Sequence, residues 1–289
     1  MSTPAFAATE YGTLLRVVMR YASDTTRNLE GPGVHPILAR QMATSNWAPY
    51  CPATVRAQQD SLVDLLRSRG AEVVLLEQVA GCSCQHFPRD LGFVIDDVLF
   101  LARLNSEHRL PEAGALATLA ATMPRVARLG AGTIEGGDVA LDTGAVLVGL
   151  SEETSPAGAE ALQSAMSLLG IDREVVPVRF ATTGIVHLDD HFNIVAPQTA
   201  LVHRAAFPSD QLRWFEDRFD LIDVTDAEAL AVQANVLAIS SGSVIVADGS
   251  DRIAGELSTR GIEVLTVDYS QVTRVPGSLR CTTLPLVRS

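Results

Sequence analysis

Hydrophobic residues follow helical spacing in some segments of the chain and strand spacing in others, and the two kinds of segment alternate in a fixed order. Apolar residues recur at helical spacing over 53–69, and Gly70 is suited to end that helix. The valine- and leucine-rich run 72–77 predicts a strand. The helix-then-strand order returns at 115–122 and 125–129, 156–169 and 174–178, 209–219 and 221–224, and 252–260 and 262–267. The joints recur every ~40–55 residues, which indicates an array of similar units.

Apolar stretches with turn residues at their centres lie between these units, and each predicts a two-stranded hairpin. They cover 93–100, 139–148, 192–202 and 236–246, while the opening run 14–19 and the closing run 282–287 are expected to pair as the fifth. The fold class is therefore predicted to be α/β, one domain over residues 1–289 in which five ββαβ units are arranged radially. A doubly wound sheet is the alternative, but it needs single strands between helices.

The composition is that of a folded globular protein, with 47% hydrophobic residues in a chain of 289. Every apolar run is interrupted by charges, glycine or proline, so no membrane span is predicted, and no secretory signal is visible. We expect a cytoplasmic protein whose four cysteines stay reduced. The net charge of −12 argues against nucleic acid as a partner and suits a cationic substrate, although a need for solubility alone is the simpler explanation.

A cysteine near the C-terminus is the first candidate for chemistry. Cys281 follows a Pro-Gly turn at 276–277, which is an unusual place for a residue that only packs. A thiolate is a strong nucleophile, and a histidine such as His187 can take its proton. Cys82 and Cys84 have C-x-C spacing, which does not match a zinc or thioredoxin-like site, so no metal is expected. Trp47 and Tyr50, in a long early loop, are candidates for a lid or pocket wall.

Three upstream motifs supply carboxylates. Asp90 follows Phe87 and Arg89, so it is a candidate to bind a planar cation, with Phe87 as a pocket wall. Glu135 and Asp138 flank two glycines, which would hold both acids in a tight loop. Taken singly, a surface ion pair or an ordinary acidic turn explains these motifs as well as a functional role does.

The third motif is expected to open a strand. His187 and Asp189 alternate with Leu188, which would place the two polar side chains on the same face of that strand. A solvated strand face is the simpler interpretation of this motif alone. Because several motifs precede predicted strands at one end of the expected ring, we predict that they meet despite their separation in sequence.

The ordered set Phe-x-Arg-Asp, Glu-Gly-Gly-Asp, His-Leu-Asp and Arg-Cys-x-x-x-Pro-Leu-x-Arg resembles the guanidino-group-modifying (pentein) superfamily. That superfamily contains arginine deiminases, dimethylarginine dimethylaminohydrolases and amidinotransferases. The resemblance spans almost the whole chain and implies a five-fold pseudosymmetric α/β propeller. It also implies a small cationic guanidino substrate, no metal or cofactor, and a possible homodimer. Hydrolysis to a ureido product such as citrulline, with loss of ammonia or an alkylamine, is the reaction we expect.

The resemblance also assigns roles to individual residues. Cys281 would attack the guanidinium carbon to form a thiouronium intermediate, and His187 would act as general acid and then as general base. Glu135 and Asp90 would hold the guanidinium, and Asp189 corresponds to a third carboxylate of the arginine deiminase branch. Phe87 and Asp138 complete the expected substrate site.

One position departs from the pattern of the superfamily. The segment 148–154 resembles Gly-x-Ser-x-Arg-Thr, in which the arginine binds the substrate α-carboxylate, but this chain has Glu153 there. Either the substrate tail is positive or neutral, or another arginine compensates, for which Arg103, Arg109 and Arg274 are the candidates. Transfer of the amidino group to an acceptor amine is the alternative reaction. A non-catalytic ring protein is disfavoured because it would not need Cys281.

Overall fold

The strands form five three-stranded sheets in the computed structural model, which describes residues 4–22, 51–80, 82, 84–275 and 277–289. In every sheet the middle strand pairs antiparallel with one neighbour and parallel with the other. The sheets are β15-β1-β2, β3-β4-β5, β6-β7-β8, β9-β10-β11 and β12-β13-β14, with these bounds: β1 (Leu14–Met19), β2 (Glu72–Leu75), β3 (Gly92–Ile95), β4 (Val98–Leu101), β5 (Val126–Arg128), β6 (Val139–Asp142), β7 (Ala145–Gly149), β8 (Glu174–Val178), β9 (Phe192–Ala196), β10 (Thr199–Val202), β11 (Asp220–Asp223), β12 (Leu237–Ser240), β13 (Ser243–Ala247), β14 (Glu263–Val267) and β15 (Leu284–Arg288).

A helix precedes the parallel strand of each sheet, so the repeating ββαβ unit predicted from the hydrophobic pattern is confirmed. The described helices are α1 (Pro52–Ser68), α2 (Ala113–Ala120), α3 (Pro156–Leu169), α4 (Ser209–Glu216), α5 (Asp226–Leu230) and α6 (Asp251–Thr259). The opening and closing strands pair antiparallel as expected, which joins the two ends of the described chain in one sheet. Trp47 and Tyr50 lie outside the described residues. None of the described helices has the length and apolar character needed to cross a membrane.

Local signals explain the bounds of the helix α3. Ser155 caps its N-terminus by accepting a hydrogen bond from the Gly158 amide, and Pro156 occupies the first turn. Gly170 ends the helix in the left-handed conformation, with φ of 76°. The helix α5, by contrast, was not predicted, because five residues are too few to show a period. A reciprocal capping box between Thr225 and Glu228 stabilises it.

Neighbouring sheets pack side by side, which brings their loops to a common end. The strand β15 contacts β3, β1 contacts β12, β12 contacts β9, and β9 contacts β6. Strands of the second and third sheets share one apolar core. The short 3-10 turns that precede β3, β6 and β9 contact each other in series, at Pro88–Leu91, Gly136–Asp138 and Leu188–Asp190. This packing gathers the motifs that lie far apart in sequence.

A buried ionic cluster lies beneath these turns, centred on Glu10. The Glu10 carboxylate accepts hydrogen bonds from Arg89 at 2.8 Å and from the Leu141 amide at 3.2 Å, and it pairs with Arg280 at 3.2 Å. Burial alone would raise the pKa of Glu10, but the charges of Arg280, Arg89 and Arg288 outweigh it and lower the pKa to about 2. Because Arg89 and Arg280 are sequence neighbours of Asp90 and Cys281, this cluster supports both motifs.

Replacing Glu10 with glutamine is expected to lower the free energy of unfolding at neutral pH by about 3–5 kcal/mol, because two buried arginines lose their counter-charge. The folded pKa of Glu10 lies below its unfolded value, so its stabilisation is present above pH 4.5 and is lost as the pH falls towards 2. As the pH falls from 4.5 towards 2, the free energy of unfolding of the Glu10→Gln variant should therefore decrease less steeply than that of the native protein. Urea unfolding at a series of pH values measures both effects.

The control for this variant is Glu263→Gln, which removes an exposed acid paired with Arg69 at 2.9 Å. An exposed pair contributes at most about 1 kcal/mol. Equal unfolding midpoints for the two variants would contradict a stabilising role for the cluster.

Candidate active site

The four motifs meet because glycines allow their loops to pack closely. A Cβ atom on Gly136 would collide with the carbonyl oxygen of Arg89, and one on Gly137 would lie 2.6 Å from Cγ of His187. The amide of Arg89 donates to the carbonyl of Cys281 at 3.3 Å, which joins the first and last motifs through the backbone. The paired glycines are thus sites of close approach, in agreement with the sequence-based interpretation.

The placement predicted for His187 and Asp189 on one strand face was wrong. His187 has extended backbone, but Leu188–Asp190 form a 3-10 turn, and β9 begins only at Phe192. The amide of Leu188 donates to Oδ1 of Asp138 at 2.9 Å. A carboxylate therefore accepts the hydrogen bond that a neighbouring strand would accept if this segment were a strand. As a result, His187 and Asp189 enter two different groups of side chains.

The first group, here called the imidazole group, consists of Asp90, Glu135 and His187. Nε2 of His187 lies 3.1 Å from Oε2 of Glu135, and Nδ1 lies 3.6 Å from Oδ1 of Asp90. All three side chains are buried. Burial alone would lower the pKa of His187, but Asp90 and Glu135 outweigh it and raise the pKa well above 6.5. At neutral pH the ring is therefore an imidazolium that can donate a proton.

One oxygen of the imidazole group accepts no hydrogen bond from the described residues. Oδ2 of Asp90 accepts from Arg109 at 2.7 Å, whereas Oδ1 is buried and has only the longer ion-pair contact with Nδ1 of His187, at 3.6 Å. A buried acceptor without a donor costs about 1–3 kcal/mol. The atom is thus an open acceptor for an N–H group of a ligand.

The second group, here called the thiol group, consists of Asp189, Asp190, Asn235 and Cys281. Nδ2 of Asn235 donates to Sγ of Cys281 at 2.9 Å, and the carboxylate oxygens of Asp189 lie 3.6 and 3.7 Å from Sγ. Burial raises the pKa of Cys281 well above its ordinary value, and the charges of Asp189, Asp190 and Asp90 raise it further. The thiol is therefore protonated in the unliganded protein.

No hydrogen bond joins Cys281 to His187 within the part of the chain that the structure describes. Asp90 acts electrostatically on both, since it raises the pKa of the imidazole and that of the thiol. Asp90 is therefore a residue that links the two groups electrostatically. Arg280 stabilises the thiol group by donating a hydrogen bond to Asp189 at 2.8 Å.

Asn235 and Asp190 were not among the residues predicted from the sequence. Oδ1 of Asn235 accepts from the amides of Arg280 and Cys281 at 2.9 and 3.1 Å, so this side chain fixes the backbone that carries the thiol. Its Nδ2 atom also lies 3.3 Å from Oδ1 of Asp190. The repeat contained a usable signal: Asn235 precedes β12 as the other motifs precede β3, β6, β9 and β15.

Two of the remaining predicted residues have protein partners for their charges. Asp138 accepts from Ser151 at 2.6 Å and from the Leu188 amide, and burial raises the pKa of Asp138 to about 7. Arg109 is buried and donates to Glu112 at 2.9 Å and to Asp90, while it lies 3.8 Å from Glu135. Arg109 thus contacts the imidazole group and supplies a counter-charge to its acids.

The other three predicted residues differ in their surroundings. Phe87 is buried against Gly277 and its ring packs on His86. Arg103 has an exposed side chain, and its backbone forms an isolated bridge with Ile134. Glu153 is buried beside Ser106 near the imidazole group.

Both groups hold residue types that also bind metals. The ligand atoms of Asp90, Glu135 and His187 lie within 4.8 Å of one another, as do those of Asp189, Asp190 and Cys281. A buried arginine already supplies positive charge to each set, namely Arg109 to the first and Arg280 to the second. An acid of each set thus already binds a guanidinium group of the chain through one hydrogen bond, from Arg109 to Asp90 and from Arg280 to Asp189.

Gly137 offers a test of how tightly the imidazole group is packed. A Gly137→Ala substitution places Cβ 2.6 Å from Cγ of His187 and 3.0 Å from Oδ1 of Asp90, so the imidazole must move. A displacement of about 1 Å can cost about 100-fold in rate, and we expect kcat to fall by that order while the fold is retained. Steady-state kinetics and circular dichroism measure the two properties.

Gly242→Ala is the control for this variant, because its Cβ would meet no atom within 4 Å. An equal loss of activity in both variants would contradict the tight packing of Gly137 against the imidazole group.

Comparisons with known proteins identify the family and the fold of the chain. A family model described as "N,N dimethylarginine dimethylhydrolase, eukaryotic" matches residues 49–288. The uncharacterised protein YkgA of Bacillus subtilis is 31% identical over 290 residues, covering 97% of this chain and 94% of that protein. The N(G),N(G)-dimethylarginine dimethylaminohydrolase of Streptomyces coelicolor is 25% identical, with coverage of 79% and 84%. The structure of SxtG, an amidinotransferase from Microseira wollei in the saxitoxin biosynthetic pathway, has the same fold, with a TM-score of 0.82, 17% identity, and coverage of 98% and 97%.

Proposed function

Because the chain belongs to the N,N dimethylarginine dimethylhydrolase family of guanidino-group-modifying enzymes, we propose that it is a cysteine-dependent hydrolase of a small guanidino compound. It releases ammonia or an alkylamine and leaves a ureido product. The observation that carries the proposal is the buried Oδ1 atom of Asp90, which accepts no hydrogen bond from the described residues, and the Asp90 carboxylate lies beside His187 and acts electrostatically on Cys281. A guanidinium supplies the N–H donor that this oxygen lacks.

The acids around His187 suit a guanidinium in particular. The chain's own Arg109 guanidinium already binds Asp90 and approaches Glu135. A substrate guanidinium would use Oδ1 of Asp90 and the Glu135 carboxylate in the same manner. Its planar cation would then present its central carbon to the thiol.

The bound cation also activates the nucleophile. Asp189, Asp190 and Asp90 disfavour the thiolate of Cys281 in the unliganded protein, and a positive guanidinium opposes their effect. Binding the substrate therefore lowers the pKa of Cys281 at the moment when the thiolate is needed. A reducing compartment such as the cytoplasm would keep this thiol available.

The reaction then proceeds in two stages. The thiol of Cys281 loses its proton to solvent when the substrate binds, and Sγ then forms a bond to the guanidinium carbon. The imidazolium of His187 gives its proton to the leaving nitrogen as the C–N bond breaks. The product of this stage is a thiouronium on Cys281 and a free amine or ammonia. The neutral imidazole next takes one proton from water, and the resulting hydroxide attacks the same carbon. As the C–S bond breaks, the hydroxyl proton of this intermediate passes to Sγ, and the ureido product leaves. The Cys281 thiol and the imidazolium are both restored.

A panel of guanidino compounds, with products read by mass spectrometry, tests the proposal. It would include arginine, N-methylated arginines, aminoalkylguanidines and guanidino acids, each with and without an acceptor amine. A ureido product formed without added amine supports hydrolysis. A product that forms only with the amine present would replace hydrolysis by amidino transfer, and no turnover of any guanidine would overturn both.

A further inference from the structure

Glu153 is a buried carboxylate close to the imidazole group. Its side chain is 4% exposed, and both of its oxygens lie 3.2 Å from the hydroxyl of Ser106. The neighbouring Asn105 amide donates to Oε1 of Glu135 at 3.3 Å, and the Glu135 amide donates to the hydroxyl of Thr154 at 3.1 Å. These bonds hold the segment that carries Glu153 against the segment that carries Glu135.

The hydrogen bonds of Glu153 do not compensate its charge. A carboxylate offers about four acceptor positions, whereas the Ser106 hydroxyl can donate only one hydrogen. Burial raises the pKa of Glu153, and the charge of Glu135 raises it further. An additional cation at this point would reverse both effects, because it favours the ionised carboxylate.

The balance of charge around the imidazole group also leaves room for cations. Three buried cations, Arg20, Arg109 and His187, lie among five buried acids: Asp90, Glu112, Glu135, Asp138 and Glu153. A guanidinium would offset one of the excess negative charges. A second positive charge on the same ligand would offset the other.

Among the described residues, a negatively charged tail has no comparable partner. Arg109 is the arginine that contacts the imidazole group there, and all three of its nitrogen atoms already donate. Nε and Nη2 donate to Glu112, Nη1 donates to Asp90, and Nη2 also donates to the carbonyl of Phe87. Nη1 has a second N–H, but it lies 3.8 Å from Oε2 of Glu135. A substrate carboxylate would have to compete with Glu135 for this N–H and would also face Glu153.

We propose that Glu153, held by Ser106, forms a subsite for a positively charged tail, so that the preferred substrate is a guanidine joined by a short alkyl chain to an ammonium group. The inference rests on the proposed function, since it concerns the other end of the same substrate. An ammonium ion supplies three N–H donors and a full charge to the under-satisfied carboxylate. A zwitterionic amino-acid tail would add a carboxylate that this subsite repels.

Four guanidines that differ only in the tail provide the test: butylguanidine, 4-aminobutylguanidine, 4-guanidinobutyrate and arginine. We expect the native protein to have the highest kcat/KM for 4-aminobutylguanidine, by about 10- to 100-fold over butylguanidine, which is the value of a hydrogen bond to a charged group. Glu153→Gln keeps the shape of the side chain and should remove that preference. Each kcat/KM is compared with that of butylguanidine in the same variant, so that an effect of the substitution on the reacting end cancels.

Glu153→Arg provides a second, independent variant. It should reverse the order and favour 4-guanidinobutyrate or arginine over 4-aminobutylguanidine. Glu160→Gln is the matched control, because it removes the same charge from an exposed side chain of α3 and should leave the order unchanged. Circular dichroism and thermal unfolding establish that each variant is folded.

The outcomes separate the inference from the proposed function. If none of the four guanidines reacts with the native protein, and no other guanidine in the wider panel does, the proposed function fails. If guanidines react but butylguanidine or arginine equals 4-aminobutylguanidine, the cationic subsite is overturned while the proposed function stands. The subsite is likewise overturned if Glu153→Gln keeps the native preference.

Discussion

Replacing Cys281 with alanine is expected to lower guanidine turnover by at least about 10⁴-fold, because the reaction loses the atom that forms the covalent bond. Serine should be nearly as inactive. Its hydroxyl has a far higher pKa than a thiol, and Asp189 and Asp190 oppose the ionisation of any group at this position. The fold should survive in both variants, since Asn235 continues to bind the backbone amides at 280 and 281. Product formation by mass spectrometry and thermal unfolding measure the two properties.

Cys51 supplies the matched control for this experiment. It is an exposed free thiol at the start of α1, so Cys51→Ser removes a more accessible sulfur without touching the thiol group. We expect native activity from that variant. Native activity from Cys281→Ala would rule out the covalent mechanism, whereas an inactive and unfolded protein would direct the test to Cys281→Ser.

The repeating fold was predictable because its signals are local. The helix α3 and the strand β8 have the bounds that the pattern predicts, since a serine cap, a proline and a left-handed glycine mark the ends of that helix. The helix α5 has no comparable period and was missed. The segment Leu188–Asp190 was predicted to be a strand but forms a 3-10 turn. The Leu188 amide donates to the carboxylate of Asp138, which is distant in sequence, and no local pattern predicts this bond.

The candidate site was predictable only as far as its motifs are contiguous. Asp90, Glu135, His187 and Cys281 stand in short motifs, and the structure brings these motifs together in two adjacent groups. The division of these residues into two groups, which Asp90 links electrostatically, depends on tertiary packing and has no local signal.

Glu10 shows the same limit of sequence-based prediction, because it belongs to no motif and yet supports two of them. It is an ordinary acid in the opening segment, yet it holds the arginines beside two of the motifs. A buried network of this kind follows from the meeting of several repeats. No spacing within one repeat reveals it.

Replacing His187 with glutamine is expected to lower guanidine turnover by about 10²- to 10⁴-fold, the usual contribution of general acid–base catalysis. The imidazolium gives a proton to the leaving nitrogen, and the imidazole later takes one from water, so both stages lose their proton carrier. An S-methylisothiourea with the preferred substrate tail bypasses the first loss, because its thiolate leaving group departs without prior protonation. The variant should then form the thiouronium on Cys281 and fail to hydrolyse it, and intact-protein mass spectrometry would show the trapped adduct.

His191→Gln is the control, because His191 lies four residues away and bonds to His203 at 2.9 Å rather than to the imidazole group. That variant should turn over guanidines normally and accumulate no adduct. Rapid hydrolysis of the adduct by His187→Gln would mean that another group activates water, and Glu135 would then be the candidate because its carboxylate contacts the same ring. Absence of the adduct, in a variant that circular dichroism shows to be folded, would instead show that His187 is needed for the attack itself.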